Sequence, residues 1–118
     1  MLRLLVLPAF LLTFNAAAAH PGYDVSLGAE VHDGMLKVAP VIAAPPGAKL
    51  RYDVTTTRTG RSGNTTSRQS ANVTVGSNGK ASLSQVSVSV TPQDRYEVHV
   101  EVFDGPRLVA SETLRHPR

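Results

Sequence analysis

The segment DRYEVHVEVF, residues 94–103, decides the fold class because its apolar and polar residues alternate along its length. A period of two is what a β-strand shows when one face packs on a core and the other meets water. The segment therefore predicts a half-buried strand in an antiparallel sheet. Its inward set is Tyr96, Val98, Val100 and Val102, and its outward set is Arg95, Glu97, His99 and Glu101.

The same alternation recurs in KLRYDVTTT, residues 49–57, which predicts a second half-buried strand. A strand that buries every other side chain needs a facing layer, so the two segments together indicate a sandwich. Here the inward set is Leu50, Tyr52 and Val54, and the outward set is Lys49, Arg51, Asp53 and Thr55.

Six stretches rich in turn-forming residues divide the rest of the chain: HDG 32–34, APPGA 44–48, GRSGN 60–64, GSNGK 76–80, TPQD 91–94 and FDGPR 103–107. No helical period of useful length lies between them, so we predict an all-β, immunoglobulin-like antiparallel β-sandwich of about seven strands. Pro40 cannot donate to a sheet ladder, which predicts a bent or edge strand around it. The predicted strands are 23–31, 35–43, 49–59, 65–75, 81–90, 95–103 and 107–115.

The first nineteen residues, MLRLLVLPAFLLTFNAAAA, have the pattern of a secretory signal peptide. A basic start, a short apolar run and a small-residue ending fit that pattern, and the run is too short to span a bilayer. We expect cleavage after Ala19, which leaves one exported domain at 20–118 with no attachment to the membrane. That domain has two more basic than acidic residues.

Charge is unevenly spread along the mature chain. No acid occurs between Val54 and Gln93, whereas Arg58, Arg61 and Arg68 all fall there. This asymmetry fits attraction to an acidic partner, which would speed association and make it depend on salt. It also fits a simpler function, in which the cations keep a flat β-surface soluble and discourage edge pairing.

The composition argues against several classes of protein. There is no cysteine, so thiol catalysis, iron–sulfur clusters and cysteine zinc sites are excluded. No nucleophile elbow, metalloprotease motif or phosphate-binding glycine loop is present, and we expect neither an enzyme nor a bound cofactor. Nucleic-acid binding is disfavoured by the small net charge and by the lack of aromatic residues among the basic ones.

Two alternative functions stay open on the residues alone. Cleavage after Ala19 would make His20 the amino terminus, where an amine and an imidazole can chelate copper with His32, His99 or His116. Pro21 removes the next amide from such a site, and an unliganded terminus is the simpler expectation. The second alternative is a carbohydrate- or surface-binding sandwich module, although the mature chain has few aromatic residues.

Three segments carry a resemblance to a known family. LRYDVTTTRTGRSGNTTSRQSANVTV at 50–75, ASLSQVSVSV at 81–90 and DRYEVHVEVFD at 94–104 resemble the CsgH family, small exported inhibitors of curli amyloid assembly in α-proteobacteria. The most specific part is the turn and strand start GRSGNTTSRQS. The resemblance implies a periplasmic, non-enzymatic, immunoglobulin-like chaperone related in fold to CsgC.

That resemblance implies a disordered, amyloid-forming client, the curli major subunit, bound by a monomer without metal. Two mechanisms fit the residues: electrostatic attraction by the basic hairpin, or pairing of an exposed strand with the client. We favour the electrostatic mechanism because the charge asymmetry is visible in the sequence. The partner-binding residues that it predicts are Arg51, Arg58, Arg61, Arg68 and Gln69.

Overall fold

A computed structural model describes residues 20–61 and 63–117, and within these residues the chain forms ten β-strands. The predicted signal peptide, residues 1–19, lies outside the described residues. No helix in the described part is long and apolar enough to cross a bilayer. The strands are β1 Asp24–Ser26, β2 Ala29–His32, β3 Met35–Val38, β4 Val41–Ala43, β5 Lys49–Gly60, β6 Gly63–Thr74, β7 Lys80–Ser82, β8 Val86–Ser89, β9 Arg95–Asp104 and β10 Arg107–His116.

The strands pair into one wide sheet and two narrow ones, all antiparallel. The wide sheet has the order β10-β9-β5-β6, and the narrow sheets have the orders β1-β4-β7 and β2-β3-β8. The all-β, immunoglobulin-like architecture predicted from the sequence is confirmed.

The described residues form ten strands where seven were predicted, because three predicted strands are each broken once. Segment 23–31 becomes β1 and β2, segment 35–43 becomes β3 and β4, and segment 81–90 becomes β7 and β8. The breaks lie side by side, since Ala39 N donates to the Leu27 carbonyl at 3.0 Å and Leu83 N to the Pro40 carbonyl at 2.9 Å. The two narrow sheets are thus one layer that bends along a single line.

Local residues explain two of the three breaks. Gly28 has φ +54°, and a Cβ there would stand 2.8 Å from the Ala39 carbonyl oxygen. Pro40 has no N–H for the ladder, and the bend predicted at this residue is confirmed. Nothing in the sequence of residues 83–85 indicates the third break. This break lies beside the one at Pro40, so the three breaks fall on one line across the layer.

The core lies between the wide sheet and the bent layer. The predicted inward residues of β5 and β9 are all buried. Leu36 and Ile42 approach them from the bent layer, and Tyr52 Oη lies 2.9 Å from Ser84 Oγ, which links β5 to the bend between β7 and β8. With no cysteine in the chain, this apolar packing and the strand ladders stabilise the domain.

Strand β6 extends past the facing layer. Every residue from Gly63 to Asn72 is exposed. The contrast is sharp at one register position, where Val54 is buried and its β6 neighbour Gln69 is exposed. The bent layer therefore ends beneath β5 and leaves both faces of β6 in water from Gly63 to Asn72.

Replacing Val100 by alanine should lower the free energy of unfolding by about 2–3 kcal/mol, since two buried methyl groups are lost and a cavity remains. Val100 is completely buried, whereas Val31 is 53% exposed and serves as the matched control. Val31→Ala should change stability by no more than about 0.5 kcal/mol in urea unfolding. Equal losses in the two variants would contradict the assignment of the core.

Candidate functional site

The β5–β6 hairpin is a continuous ladder of twelve residue pairs, from Lys49 opposite Thr74 to Gly60 opposite Gly63. The turn is thus two residues long, with Arg61 in it. Because successive side chains of a strand point to opposite faces, this register decides which predicted site residues meet.

A buried carboxylate organises the outer face of the hairpin. Asp53, opposite Ser70, has a side chain only 7% exposed although it points away from the core. Ser70 Oγ donates to Asp53 Oδ1, Arg68 Nη2 lies 3.2 Å from Oδ2, and Arg51 Nη1 lies 3.4 Å from Oδ1. The Ser70 hydrogen bond, helped by the charges of the two arginines, holds the pKa of Asp53 below its usual value against the effect of burial.

The two outer arginines are held but remain accessible. The guanidinium of Arg51 stacks over the Phe103 ring, 4.3 Å from its centroid. The side chains of Arg51 and Arg68 are 47% and 66% exposed. Arg51 and Arg68 therefore form a fixed cationic pair around one carboxylate, with donors left for another partner.

Arg58 lies in a different environment from the other arginines. It sits on the inner face with its side chain 14% exposed, and its Nη1 is 3.4 Å from Asp94 Oδ2. Its Nη2 donates to Thr65 Oγ1 at 3.3 Å, across the hairpin. This geometry makes Arg58 an anchor between the hairpin and the loop before β9, and the client contact predicted for it from the sequence stays a prediction.

Asp94 completes that anchor. Its carboxylate accepts the Thr91 N–H at 2.9 Å, and this bond, with the nearby Arg58 charge, lowers the pKa of Asp94. Gly60 provides the necessary space, because a Cβ there would clash with Asp94 Oδ1. The ion pair and this close contact thus add to the β5–β9 ladder, which runs as far as Thr59, in holding the far half of the hairpin to the sandwich.

The structure therefore divides the five predicted site residues among three places. Arg51 and Arg68 share the outer face, Arg58 and Gln69 point to the inner side, and Arg61 is at the turn. Sequence reasoning missed the roles of Asp53 and Ser70, which depend on the cross-strand register. Whether any of these residues binds a partner stays a prediction.

The histidines do not gather into a metal site in the described residues, where no three His, Asp or Glu side chains are close enough to hold an ion. His99 Nδ1 is 2.6 Å from Thr113 Oγ1, and His116 stacks on Tyr96 with centroids 4.7 Å apart. Two of the imidazoles that the copper alternative offers as partners for His20 thus have protein neighbours of their own.

Together these features define a class of protein: an immunoglobulin-like β-sandwich with a polar, cationic edge hairpin. The chain belongs to the Tafi-CsgC family, described as thin aggregative fimbriae synthesis proteins, which it matches over residues 23–114. No curated protein matches the sequence.

Solved structures that share the fold include a CsgC and a CsgH. The curli protein CsgC of E. coli has 19% sequence identity and a TM-score of 0.63, with 81% of this chain and 99% of that one covered. CsgH of R. palustris has 18% identity and a TM-score of 0.61, with 78% and 90% covered. The resemblance to CsgH and CsgC drawn from the sequence is confirmed.

Arg58→Ser should lower the free energy of unfolding, because it leaves the Asp94 carboxylate buried without its cation. Arg61→Ser removes the same charge from the exposed turn and should stay within about 0.5 kcal/mol of the parent. Urea unfolding of both variants checks this difference. Indistinguishable midpoints for the two variants would show that Arg58 is no anchor.

Stability should also fall in acid. The folded-state pKa values of Asp53 and Asp94 lie below the unfolded value of about 3.9, so their contribution is complete above that pH and is lost as pH falls through the folded values. Asp94→Asn should therefore flatten the fall in unfolding free energy below about pH 4. Asp33→Asn, at a side chain 89% exposed, should leave the curve parallel to the parent. An Asp94→Asn curve parallel to that of the parent would show that protonation of Asp94 does not cause the loss of stability in acid.

Proposed function

We propose that this protein is a periplasmic chaperone that binds curli-type amyloid subunits and inhibits their premature fibril formation. Its client is the curli major subunit, and it acts as a monomer through weak, largely electrostatic contacts of the β5–β6 hairpin. Membership of the fimbriae synthesis family supports the biological setting. The proposal also includes export by the signal peptide predicted at residues 1–19 and a mature domain at 20–118.

The observation that carries the proposal is the exposure and charge of this hairpin. Ten successive residues of β6 are exposed, and residues 49–74 contain five cationic side chains and a single acid, Asp53. Such a surface attracts an acidic, disordered chain from a distance and binds it without deep burial. Weak and reversible binding is what a protein needs in order to hold a subunit back before export.

The accessible contacts are those of Arg51, Arg61 and Arg68, since Arg58 is occupied by Asp94. Gln69 and the β6 hydroxyls add polar groups that match an amide- and hydroxyl-rich client. Amyloid nuclei grow by pairing strand edges and stacking Asn and Gln side chains. A client segment that lies along the hairpin is unavailable for that growth.

The positions of the aromatic residues argue against the carbohydrate-binding alternative. Tyr52 and Tyr96 are buried, Arg51 stacks over Phe103, and Tyr23 is half-buried with its hydroxyl 3.3 Å from Asp104 Oδ2. A flat glycan platform would need such rings in the open. The chaperone proposal is therefore the better supported of the two.

Thioflavin-T kinetics of the curli major subunit test the proposal. Substoichiometric mature protein should lengthen the lag phase, and the effect should weaken at high salt because exposed charges are screened. The double variant Arg61→Ser, Arg68→Ser should bind the subunit with about 1 kcal/mol less free energy, which is roughly fivefold in affinity.

The control is Arg107→Ser, which removes an exposed arginine from the start of β10, a strand that β9 separates from the hairpin. It should inhibit like the parent. A lag phase unchanged at equimolar protein would reject the chaperone function. Inhibition that is indifferent to salt and to both hairpin arginines would keep the function and reject the electrostatic mechanism.

A further inference from the structure

Strand β6 forms one margin of the wide sheet, with β5 on its inner side and no strand of the described residues on its outer side. We infer that this outer edge is a strand-addition site for an extended segment rich in Asn, Gln, Ser and Thr that carries a carboxylate near Arg68. The inference rests on the proposed function and names how the client is bound.

The edge has the length and regularity that strand addition needs. It runs for twelve residues without a proline, and its pairing with β5 is continuous and free of bulges. In an antiparallel ladder alternate residues turn their N–H and C=O groups away from the partner strand. These outward groups can bond a new strand through its main chain, with little demand on its sequence.

The side chains of β6 specify the chemistry of the added strand. Its residues GNTTSRQSANVT are hydroxyls and amides apart from glycine, Ala71, Val73 and one cation, Arg68. Cross-strand pairs of amides and hydroxyls are favourable, and Arg68 favours a carboxylate beside it. An apolar client strand would find no matching surface on either face.

The same geometry explains how addition would inhibit growth. Fibrils need a second sheet packed dry against the first. Because the bent layer ends beneath β5, a strand added beyond β6 lies with water on both faces. It is paired through its backbone but cannot enter a dry interface there.

One alternative site and one alternative occupant fit the structure less well. The opposite margin, at β10, borders an apolar groove of about 420 Å³ that includes Val25, Leu27 and Leu114. Glu112 lines that groove, and burial together with the charge of Asp24 raises its pKa. The groove therefore disfavours negative charge and would not bind an acidic segment well. A second copy of this chain at β6 would bring two cationic hairpins together.

Proline substitution at two adjacent residues tests the edge. Of Thr66 and Ser67, one must direct its N–H away from β5, and proline there blocks addition while sparing the β5 ladder. We expect one of Thr66→Pro and Ser67→Pro to keep the parental melting temperature and to need about tenfold more protein for equal lag extension. The control is Ser77→Pro, at an exposed position of the turn 76–79 outside β6, which should inhibit like the parent.

A proline variant that keeps both its melting temperature and full inhibition would overturn the inference and leave the proposed function standing. Should both proline variants unfold, amide hydrogen exchange on the parent protein decides. When the parent protein is mixed with a soluble, acidic peptide rich in Asn, Gln and Ser, alternate amides of β6 should exchange more slowly. Unchanged exchange at these amides would refute the site. This assay works even if fibril inhibition fails.

Sedimentation of the protein without client tests whether the β6 edge binds a second copy of the chain instead. The parent should be a monomer at the concentrations used. A dimer that one proline variant converts to monomer would assign the edge to a second copy and overturn the inference.

Discussion

The surface of this molecule depends on β5 having hydrogen-bonded neighbours on both sides. Its ladder with β9 joins it to a strand whose inward valines are fully buried, and its inner residues Leu50, Tyr52 and Val54 fix its position. Its other ladder holds β6, which buries little surface of its own. Strand β6 is therefore ordered by its neighbour instead of by a core, which is why both of its faces can stay polar.

Much of the fold could be predicted because alternation is a local signal. The inward residues of β5 and β9 are read directly from the period of two, and Pro40 marks a bend because it lacks a donor. The breaks at Gly28 and at residues 83–85 could not be predicted. They exist because three adjacent strands must bend along one line, and that condition involves residues far apart in sequence.

The candidate site was harder to predict, since composition shows how many charges a segment has but not which of them are neutralised. Arg58 and Asp94 are 36 positions apart, and only the fold brings them together. Asp53 meets Ser70 and Arg68 because the turn between Gly60 and Gly63 is two residues long. The predicted strand bounds, 59 and 65, left that register open, and a shift of one residue would place Arg68 on the other face.

An edge strand that binds a client must not pair with the same edge of a second copy, because unpaired edges also lead to aggregation. Here the two requirements are met by the same residues. β6 has a cation and no acid, so a second β6 offers Arg68 no complementary charge, whereas an acidic polar segment does. Its exposed polar faces give a second copy no apolar surface to bury. The features that leave β6 open to a hydroxyl- and amide-rich partner are thus the ones that keep the protein from polymerising through that edge.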